Sequence, residues 1–562
     1  MAATDIALDL RELPFSLRGS WLDLSPVIGT HQTAADVHLV SHVTGMHPVL
    51  RLVPEAGDDV RVTASASRVA WTGGNGRVEA VFESTSALRF RGSGLGMRFA
   101  ASDELTPFTG GYLFTDPVDG AIVLTSYETG RRYRFTVLSG RAEVVGDGEL
   151  GAADRAVVFT ASDWEVRVSE TETTQATPVP ALGFDDLVEL RRGEFARYAE
   201  AVAGPGAAPT AVKAAYVLWS ATVEPAGFVG REAVLMSKHW MDKVWSWDHC
   251  FNALALAPLD TGAALDQFLL PFDHQDASGA LPDSMTHSEV LYNFVKPPIH
   301  GWAFARLRER LASPLDPDAL RTVYARLAVW TRFWLDSRRA PGHALPYYQH
   351  GNDSGWDNAT LFDRARVVES PDLAAFLILQ LDALAALARE LGESPDEWDD
   401  DRIVVERALY DQLWTVDGFV ARGVSDGEPS TATSLLASLP IVLGEWLPAD
   451  IADRLATSIE HRLTEWGPAT EPPDSPLYEP DGYWRGPVWA PSTYLIVDGL
   501  RRAGRSALAD RVARAFLAAC ERSGFAENFD ALTGEGLRDR AYTWTAAVYL
   551  LLASGDRPSG ER

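Results

Sequence analysis

The periodicity of the sequence changes near residue 184, and this change is the strongest constraint on the fold. Before it, apolar and polar residues alternate in short segments rich in Val, Phe and Thr, such as 76–83 and 164–170, which is the pattern of half-buried strands. After it, apolar residues recur with a spacing of about 3.6, as in helices that bury one face. The chain has 562 residues, more than one hydrophobic core usually organises. We therefore predict two domains, β first and helical second.

The first third predicts an antiparallel β-sandwich over residues 1–184. Many short strands separated by Gly-rich or polar turns are typical of that architecture. The predicted strands are 60–71, 76–83, 86–92, 121–128, 131–138, 155–161 and 164–170.

Residues 185–209 are interpreted as a connecting helix and a linker, because the helical pattern of 185–204 ends at Gly204-Pro205-Gly206. Residues 210–562 then form the helical domain. Its predicted helices are 210–223, 249–257, 262–272, 300–312, 318–338, 372–392, 401–414, 431–443, 449–463, 490–504, 506–524 and 542–555. An (α/α)6 toroid, in which paired helices close into a ring, would use about twelve helices. An open helical array has the same periodicity, so this pattern does not separate the two.

Charge and composition exclude several classes of partner. The net charge is −28, and such a field repels nucleic acid and anionic membranes. We identify no run of about eighteen apolar residues that would span a bilayer, and the N-terminus lacks the basic start and apolar core of a secretory signal. With only two cysteines, the chain fits a reducing compartment. We expect a cytoplasmic protein.

The sequence predicts neither a metal nor a cofactor. His249 lies beside Cys250, but we expect adjacent residues to point to different faces, and the chain has no ligand spacing such as HExxH. A structural Ca²⁺ bound by loop carboxylates stays an open alternative.

Alternate connections between the helices are long, aromatic and polar, which indicates a carbohydrate-binding crater. Compact domains rarely keep long structureless loops without a use. Aromatic faces stack on the apolar side of a pyranose, while Asp, Asn and Arg bind its hydroxyls. The loops are 237–250, 273–298, 346–362, 477–489 and 525–539.

Hydrolysis of a glycosidic bond needs two converging carboxyl groups, one as acid and one as base or nucleophile. Composition alone does not choose them among 78 acidic residues. Asp353 and Asp357 are too close in sequence to flank a sugar from opposite sides. Glu527 and Glu535 lie far away, in the last aromatic loop.

Four motifs carry a resemblance to a known family. In chain order they are SKHWMDKVWSWDHCFNALAL, HGNDSGWDNATLF, YWRGPVW and ENFDALTGEG followed by YTWTAA. Together they resemble glycoside hydrolase family 63 and the related mannosylglycerate and glucosylglycerate hydrolases, which are six-hairpin, trehalase-like glycosidases. The resemblance spans residues 210–555.

The resemblance implies an (α/α)6 toroid, Asp357 as general acid and Glu527 as general base. It also implies inversion of anomeric configuration, with the two carboxyl groups about 6.5–9.5 Å apart. We expect burial beside Trp356 to raise the pKa of Asp357 and keep it protonated. The alternatives are that Asp357 caps a helix starting near Asn358 and that Glu527 is a surface acid. Glu535 is the rival base, but like Asp353 it is interpreted first as a turn residue.

Further substrate contacts follow from the same resemblance. Trp247 and Asp248 would contact the non-reducing sugar, or else form a core Trp with a capping Asp. Arg485 would bind sugar, or else pair with a structural carboxylate. The loop 273–298, with His287 and Tyr292, is a candidate lid. The remaining candidates are Trp356, Trp484 and Trp489 in the sugar-binding motifs, Tyr347, Tyr348, Gln349 and His350 on the leaving-group side, and Trp544 in the floor.

The sequence therefore predicts an inverting, exo-acting α-glycosidase of α-glucosidase type. Its expected substrate is a small carbohydrate, either a disaccharide, a short oligosaccharide or a glycerate conjugate. Two alternatives stay open, a glycoside phosphorylase of similar architecture and a non-catalytic carbohydrate-binding protein.

Overall fold

The structure is a computed structural model, and it describes residues 6–29, 33–55, 60–102, 111–151, 153–173 and 182–555. By their contacts the residues divide into two compact units. The β unit comprises the chain up to Lys243 together with Thr286–Ser288, and the helical unit comprises Val244–Met285 and the chain from Glu289 onwards.

Two antiparallel sheets form most of the β unit. The strands are β1 Ala7–Leu8, β2 Leu22–Ile28, β3 Thr33–Ser41, β4 His47–Glu55, β5 Arg61–Ser65, β6 Val69–Gly73, β7 Gly76–Ser84, β8 Ala87–Ser93, β9 Gly96–Ala101, β10 Gly111–Thr115, β11 Ile122–Ser126, β12 Arg132–Ser139, β13 Ala142–Val145, β14 Ala156–Phe159 and β15 Trp164–Thr171. One sheet has nine strands in the order β1-β5-β6-β7-β8-β15-β12-β11-β10, and the other has six in the order β13-β14-β9-β4-β3-β2.

Aromatic side chains from both sheets pack against each other. Phe99 of β9 contacts Phe90 of β8 and Phe135 of β12 edge-on, with ring centroids 5.0 and 5.6 Å apart. Phe159 of β14 stacks on Trp164 of β15 at 4.5 Å. All five rings are buried, so the two sheets share an apolar core.

The predicted strands all form, with one split and several omissions. Segment 60–71 divides into β5 and β6, because Ser65 donates its backbone N–H to the carbonyl of Arg68 and closes a turn. The omitted strands are β1, β2, β3, β4, β9, β10 and β13. In β2 the alternation is broken by Pro26, which lies where the register with β3 shifts.

Helices α1 (Phe184–Ala203) and α2 (Pro209–Ala221) belong to the β unit. Phe184, Leu187 and Val188 of α1 form an apolar cluster with Val81 of β7, and Phe195 of α1 contacts rings of α2. The contact boundary therefore falls at Lys243, beyond the boundaries at 184 and 209 that the sequence predicts.

The helical unit consists of α-helices and shorter helical segments. Its α-helices are α3 His249–Leu256, α4 Thr261–Leu269, α5 His300–Arg310, α6 Pro317–Arg332, α7 Pro371–Leu391, α8 Asp396–Ala408, α9 Ala449–Arg462, α10 Ala490–Arg502, α11 Ser506–Ser523 and α12 Thr543–Ala553. The 3₁₀ segments are Leu270–His274, Gly351–Ser354, Thr360–Phe362 and Leu435–Trp446, and π-helical turns cover Phe333–Ser337 and Leu409–Leu413.

Six of these elements pack in a closed cycle. Helix α3 packs on α5, α5 on α7, α7 on the segment Leu435–Trp446, that segment on α10, α10 on α12, and α12 again on α3. Helices α4, α6, α8, α9 and α11 each pack on one or two members of the cycle. Short two- and three-strand ladders lie in the loops, including Val244–Trp245 with Ser284–Met285 and Val290–Leu291, and Asn528–Phe529 with Gly536–Leu537.

Helix α7 contradicts the statement that no run of about eighteen apolar residues would span a bilayer. This helix is long and apolar enough to cross a membrane. Its most apolar window of 18 residues is, however, 83% buried inside the protein. Since it packs on α5, α6, α8 and Leu435–Trp446, α7 is a core helix.

Candidate active site

The loop that carries Asp357 folds tightly against Trp247. It begins with the 3₁₀ segment Gly351–Ser354, and Gly355 then takes a φ of +75°. A Cβ atom at Gly355 would lie 2.6 Å from the Trp247 ring, so only glycine fits both the backbone angle and the space. This turn sets the directions in which Trp356 and Asp357 leave the loop.

Asp353 fixes the start of the same loop from inside the protein. Its carboxylate accepts hydrogen bonds from the Arg338 guanidinium and the Gln349 backbone N–H, both 2.8 Å long, and from the Val295 N–H at 3.2 Å. The side chain is 1% exposed. Asp353 is thus a buried ion-pair partner, and the interpretation of it as a turn residue is incomplete.

Asn358 joins the Asp357 loop to the YWRGPVW loop. Its side-chain oxygen accepts from the Trp484 N–H, and its amide nitrogen donates to the Gly482 carbonyl, each at 3.0 Å. No helix starts at Asn358, since the next helical segment is Thr360–Phe362 with Ala359 as its N-cap. The capping alternative for Asp357 is therefore wrong.

The Asp357 carboxyl is half-buried, and its pKa is raised. Burial is the main cause, because the charged form loses hydration. The Lys296 ammonium lowers the pKa, Asp283 raises it, and His350 lowers it slightly. The net direction is the one that a proton donor needs.

Glu527 lies in the last aromatic loop, and both polar groups of its backbone are hydrogen-bonded. Its N–H donates to the Asp539 carbonyl at 2.8 Å, and its own carbonyl accepts from the Trp544 indole at 3.4 Å. The side chain is 1% exposed, which contradicts the alternative of a surface acid. Among the described residues its Oε2 has no hydrogen-bond partner, so this oxygen is available to a water molecule or substrate.

The pKa of Glu527 is raised to about 8. Burial is the largest cause, and Asp539 raises the pKa further. The Arg538 guanidinium and a hydrogen bond from Tyr483 lower it, and the charge of Asp357 raises it. The Asp357 carboxyl group is therefore close enough to Glu527 to influence the ionisation of Glu527.

Tyr483 connects the two carboxyl groups. Its side chain hydrogen-bonds Glu527, and the charges of Glu527 and Asp357 both raise the pKa of its hydroxyl, after the larger effect of burial. Tyr483 and Arg538 are the non-glycine residues with positive φ in the described chain, at 64° and 62°. The Arg538 guanidinium carbon lies 5.0 Å from the Tyr483 ring centre. Such strain is typical of functional sites.

The five predicted tryptophans form one cluster of ring contacts, and a position in the floor of the site stays a prediction. Trp484 stacks on Trp489 at 3.9 Å and on Trp356 at 4.6 Å. Trp544 meets Trp247 and Trp489 edge-on at 5.7 and 5.5 Å. Because these rings are all buried, they cover each other's faces and act first as packing that supports Asp357 and Glu527.

Asp248 and Lys296 lie close enough to Asp357 to interact with its charge. Asp248 precedes α3 without a capping hydrogen bond, which contradicts the capping alternative. Burial raises its pKa to about 8, although Lys296 lowers it. Among the described residues its Oδ2 has no hydrogen-bond partner. The Lys296 ammonium lies 3.0 Å from Asp283 and donates to the Asn352 carbonyl at 2.9 Å.

Arg485 forms ion pairs with structural carboxylates. Its two terminal nitrogens donate to the two oxygens of Asp363, both at 2.9 Å, and Nε donates to Glu479 at 3.2 Å. A further bond reaches the Asn358 carbonyl at 3.3 Å. This is the pairing that the sequence left open for Arg485, and it favours a role in loop structure over a role in sugar binding.

The leaving-group candidates differ in their placement. Tyr347 and Gln349 are held through their backbone N–H groups, by Arg338 and Asp353 respectively, and their substrate contacts stay predictions. Tyr348 is fully buried and donates to Asp372 at 2.9 Å, so it belongs to the core. His350 stacks on Phe294 at 5.3 Å and influences Asp357.

The structure also bears on the interpretations of Glu535 and of the loop 273–298. Glu535 is exposed, directly after Gly534 with a φ of +70°, as expected of a turn residue. His287 contacts Trp21 and Arg131 within the β unit, so it is not part of this site. Tyr292 donates to the His274 carbonyl at 2.6 Å. Movement of the loop 273–298 as a lid stays a prediction.

Sequence reasoning missed four residues of the site, namely Tyr483, Arg538, Lys296 and Asn358. Tyr483 and Asn358 lie inside motifs that the sequence did single out, next to residues that were chosen. Arg538 and Lys296 lie in the predicted loops 525–539 and 273–298, but nothing in the residue order singled them out, because neither the strained backbone nor the ion pair is visible there.

The arrangement is suited to acid–base chemistry. Two carboxyl groups with raised pKa values lie near Tyr483 and raise the pKa of its hydroxyl, and the Trp544 indole contacts the Glu527 carbonyl. Pairs of carboxyl groups in such environments are the usual machinery of glycoside hydrolysis.

Comparison with known proteins identifies the class and then the family. The profile of the mannosylglycerate hydrolase MGH1-like glycoside hydrolase domain matches residues 241–545. The protein is a glycoside hydrolase. The chain belongs to the mannosylglycerate hydrolase MGH1-like family, which confirms the resemblance seen in the sequence.

Individual relatives agree with this assignment. Mannosylglycerate hydrolase from Thermus thermophilus is 27% identical over 54% of this chain and 93% of its own. Glucosylglycerate hydrolase from Mycolicibacterium hassiacum is 24% identical over 62% of this chain and 98% of its own.

Solved structures show the same fold. The family 63 mannosylglycerate hydrolase from Thermus thermophilus in complex with glucose covers 61% of this chain and 99% of its own, with a TM-score of 0.55 and 24% identity. A bacterial glucoamylase complexed with acarbose covers 98% of this chain and 94% of its own, with a TM-score of 0.64 and 12% identity. The fold is therefore an N-terminal antiparallel β region followed by a helical domain.

Proposed function

We propose that this glycoside hydrolase is an inverting, exo-acting α-glycosidase in which Asp357 is the general acid and Glu527 the general base. The observation that carries the proposal is the electrostatic interaction of these two buried or half-buried carboxyl groups beside Tyr483. The closed cycle of six helical elements and the apolar core between the two sheets support an (α/α)6 toroid preceded by a β-sandwich.

In the proposed reaction, protonated Asp357 donates its proton to the glycosidic oxygen as the bond from that oxygen to the anomeric carbon breaks. Ionised Glu527 takes a proton from a water molecule, and that water forms the new bond to the anomeric carbon from the opposite face. One proton moves to the leaving alcohol, one moves to Glu527, and the anomeric configuration inverts. Glu527 Oε2, which has no protein partner among the described residues, is the oxygen suited to hold that water.

The substrate proposed first is a small α-glycoside of glycerate. The support is the naming of several relatives as mannosylglycerate or glucosylglycerate hydrolases. Disaccharides and short oligosaccharides of α-glucose are the next candidates. The aglycone is short in every case, in keeping with action at a chain end.

The test is a panel of α-glycosides that contains mannosylglycerate, glucosylglycerate, disaccharides and maltooligosaccharides. We expect one class to release reducing sugar, and the Asp357→Asn and Glu527→Gln variants to lower kcat by about 100-fold or more. Near-native activity of Glu527→Gln would contradict its role as the base. If no glycoside in the panel is cleaved, the non-catalytic alternative gains support.

Two further measurements separate the mechanisms. NMR of the earliest product should show the β-anomer, since inversion of an α-glycoside gives that configuration. Added phosphate should leave the turnover unchanged, because water is the nucleophile. A glycosyl phosphate product would replace this proposal with a phosphorylase.

A further inference from the structure

Three buried donor atoms meet where helices α3 and α5 begin. His249 and Cys250 are the first two residues of α3, and His300 is the first residue of α5. One ring nitrogen of each histidine and the Cys250 sulfur lie within 4.8 Å of one another. All three side chains are at most 1% exposed. The sequence argument that His249 and Cys250 point to different faces is therefore wrong.

Hydrogen bonding sets the orientation of His249. Its Nδ1 lies 3.1 Å from the Trp245 carbonyl, and only a protonated Nδ1 can donate to that oxygen. The lone pair of the neutral ring is then on Nε2, which faces the Cys250 sulfur at 3.6 Å. A metal-bound histidine usually donates its other N–H to a carbonyl in this way.

His300 is buried without a conventional partner. Neither of its ring nitrogens makes a hydrogen bond within normal geometry among the described residues, although the Ser246 backbone is close enough to affect its pKa. Edges and faces of Phe268, Phe272 and Trp330 surround the ring. Burial of an unpaired polar group is destabilising, and a bound cation would offset that cost.

We propose that His249 Nε2, the Cys250 sulfur and one ring nitrogen of His300 bind a thiophilic d¹⁰ cation, Cu⁺ or Zn²⁺. One sulfur and two imidazole donors suit these two ions. Binding breaks the S–H bond of Cys250, releases its proton to solvent and forms the metal–sulfur bond, with no change of oxidation state. Ligand distances of about 2.0–2.3 Å require His300 to approach the other two donors slightly.

Charge and coordination number favour Cu⁺ over Zn²⁺. Cu⁺ and one thiolate leave no net charge in the apolar surroundings, whereas Zn²⁺ leaves one positive charge, which is costly to bury. Structural Zn²⁺ also takes four ligands, and the cluster of described residues offers three.

The test is the metal content of the whole protein after expression with added copper or added zinc and anaerobic, reducing purification. We expect about one ion per chain from one of the two media, and a higher thermal midpoint than in the metal-stripped protein. Cys250→Ser and His300→Gln should each lose the ion. Cys520→Ser should keep it, because Cys520 is the other buried cysteine and lies outside the cluster.

Metal content that is sub-stoichiometric in both media, without a change in thermal midpoint on titration with Cu⁺ or Zn²⁺, would overturn the proposal. So would equal metal content in the wild type and Cys250→Ser. If Cys250→Ser does not fold, anaerobic Cu⁺ titration of the Cys520→Ser variant decides, since its only thiol is then Cys250. A sulfur-to-copper charge-transfer band in the ultraviolet that saturates at about one Cu⁺ per chain supports the site, and its absence contradicts it. None of these readouts depends on glycosidase activity.

Discussion

The side-chain oxygen of Asn358 accepts a hydrogen bond of 3.0 Å from the backbone N–H of Trp484. The same amide donates to the Gly482 carbonyl, so one side chain fixes the distance between the loop of Asp357 and the loop of Tyr483. Because Tyr483 also hydrogen-bonds Glu527, Asn358 links the positions of the proposed acid and base without touching the reacting atoms.

Replacement of Asn358 by Ala should therefore lower kcat while the protein stays folded. A displacement of catalytic groups by about 1 Å costs up to about 100-fold in rate, so we expect a loss of about 10- to 100-fold. Steady-state kinetics together with circular dichroism measure this. Asn293→Ala, at an exposed asparagine, is the matched control. Equal activity of both variants would show that the link has no influence on catalysis.

Replacement of Tyr483 by Phe should move the acid limb of the kcat/KM profile to higher pH. The hydroxyl hydrogen bond lowers the pKa of Glu527, because it stabilises the ionised carboxylate. Its loss raises that pKa, so the base becomes ionised only at higher pH. Hydrogen bonds to charged groups contribute about 1.5–3 kcal/mol, which corresponds to a shift of about one to two pH units.

The control for this profile is Tyr478→Phe in the same loop, whose hydroxyl has no hydrogen-bond partner among the described residues. That variant should keep the wild-type limb. A Tyr483→Phe profile that coincides with the wild type would mean that Glu527 does not govern the limb.

Replacement of Glu527 by Gln should stabilise the protein more as the pH rises. The folded pKa is about 8 and the ordinary value is 4.5, so folding takes up a proton between these pH values. The wild type then loses unfolding free energy as the pH rises from about 4.5 to 8, and the neutral amide does not. Denaturant unfolding at pH 5 and pH 9 should show a gain of a few kcal/mol that is confined to the higher pH.

Glu535→Gln is the matched control, because this carboxylate is exposed in the same loop. Its unfolding free energy should follow the wild type at both pH values. A constant difference between Glu527→Gln and the wild type would refute the raised pKa.

The sequence predicted the helices of the second part because a buried face repeats over many turns. Helix α7 matches the predicted 372–392 to within a residue at each end. Strands β3 and β4 escaped prediction, and part of the pairing of β4 depends on a remote strand. Leu50 of β4 pairs with Ala101 of β9, for example, and these two residues are distant in sequence.

The sequence predicted those residues of the site that lie in family motifs. Asp357 and Glu527 were taken from family motifs, whereas Lys296 and Arg538 act through charge across space. The residue order also gave no way to tell a substrate-binding arginine from a structural one. Arg485 differs only in the neighbours that it meets after folding, Asp363 and Glu479.

Replacement of Asp353 by Ala should be strongly destabilising. The change leaves the Arg338 guanidinium, which is 10% exposed, without its carboxylate, and removal of one partner from a buried ion pair costs about 3–5 kcal/mol. Urea unfolding measures the loss. Asp400→Ala, at an exposed position on α8, should change stability by less than about 0.5 kcal/mol. A similarly small effect at Asp353 would mean that the loop is held by other contacts.

Replacement of Arg485 by Met tests whether this side chain binds sugar or holds the loop. Its bidentate pair with Asp363 is partly exposed, with 17% and 41% of the two side chains accessible, so we expect a loss of about 1 kcal/mol. The KM of the enzyme should stay within about twofold of the wild type. A double-mutant cycle with Asp363→Asn should give a coupling energy smaller than the loss of Arg485→Met alone, because the arginine also bonds Glu479 and the Asn358 carbonyl. Arg407→Met, in an exposed pair on α8, supplies the baseline for removing a surface arginine. A KM raised tenfold or more with unchanged stability would instead assign Arg485 to the substrate.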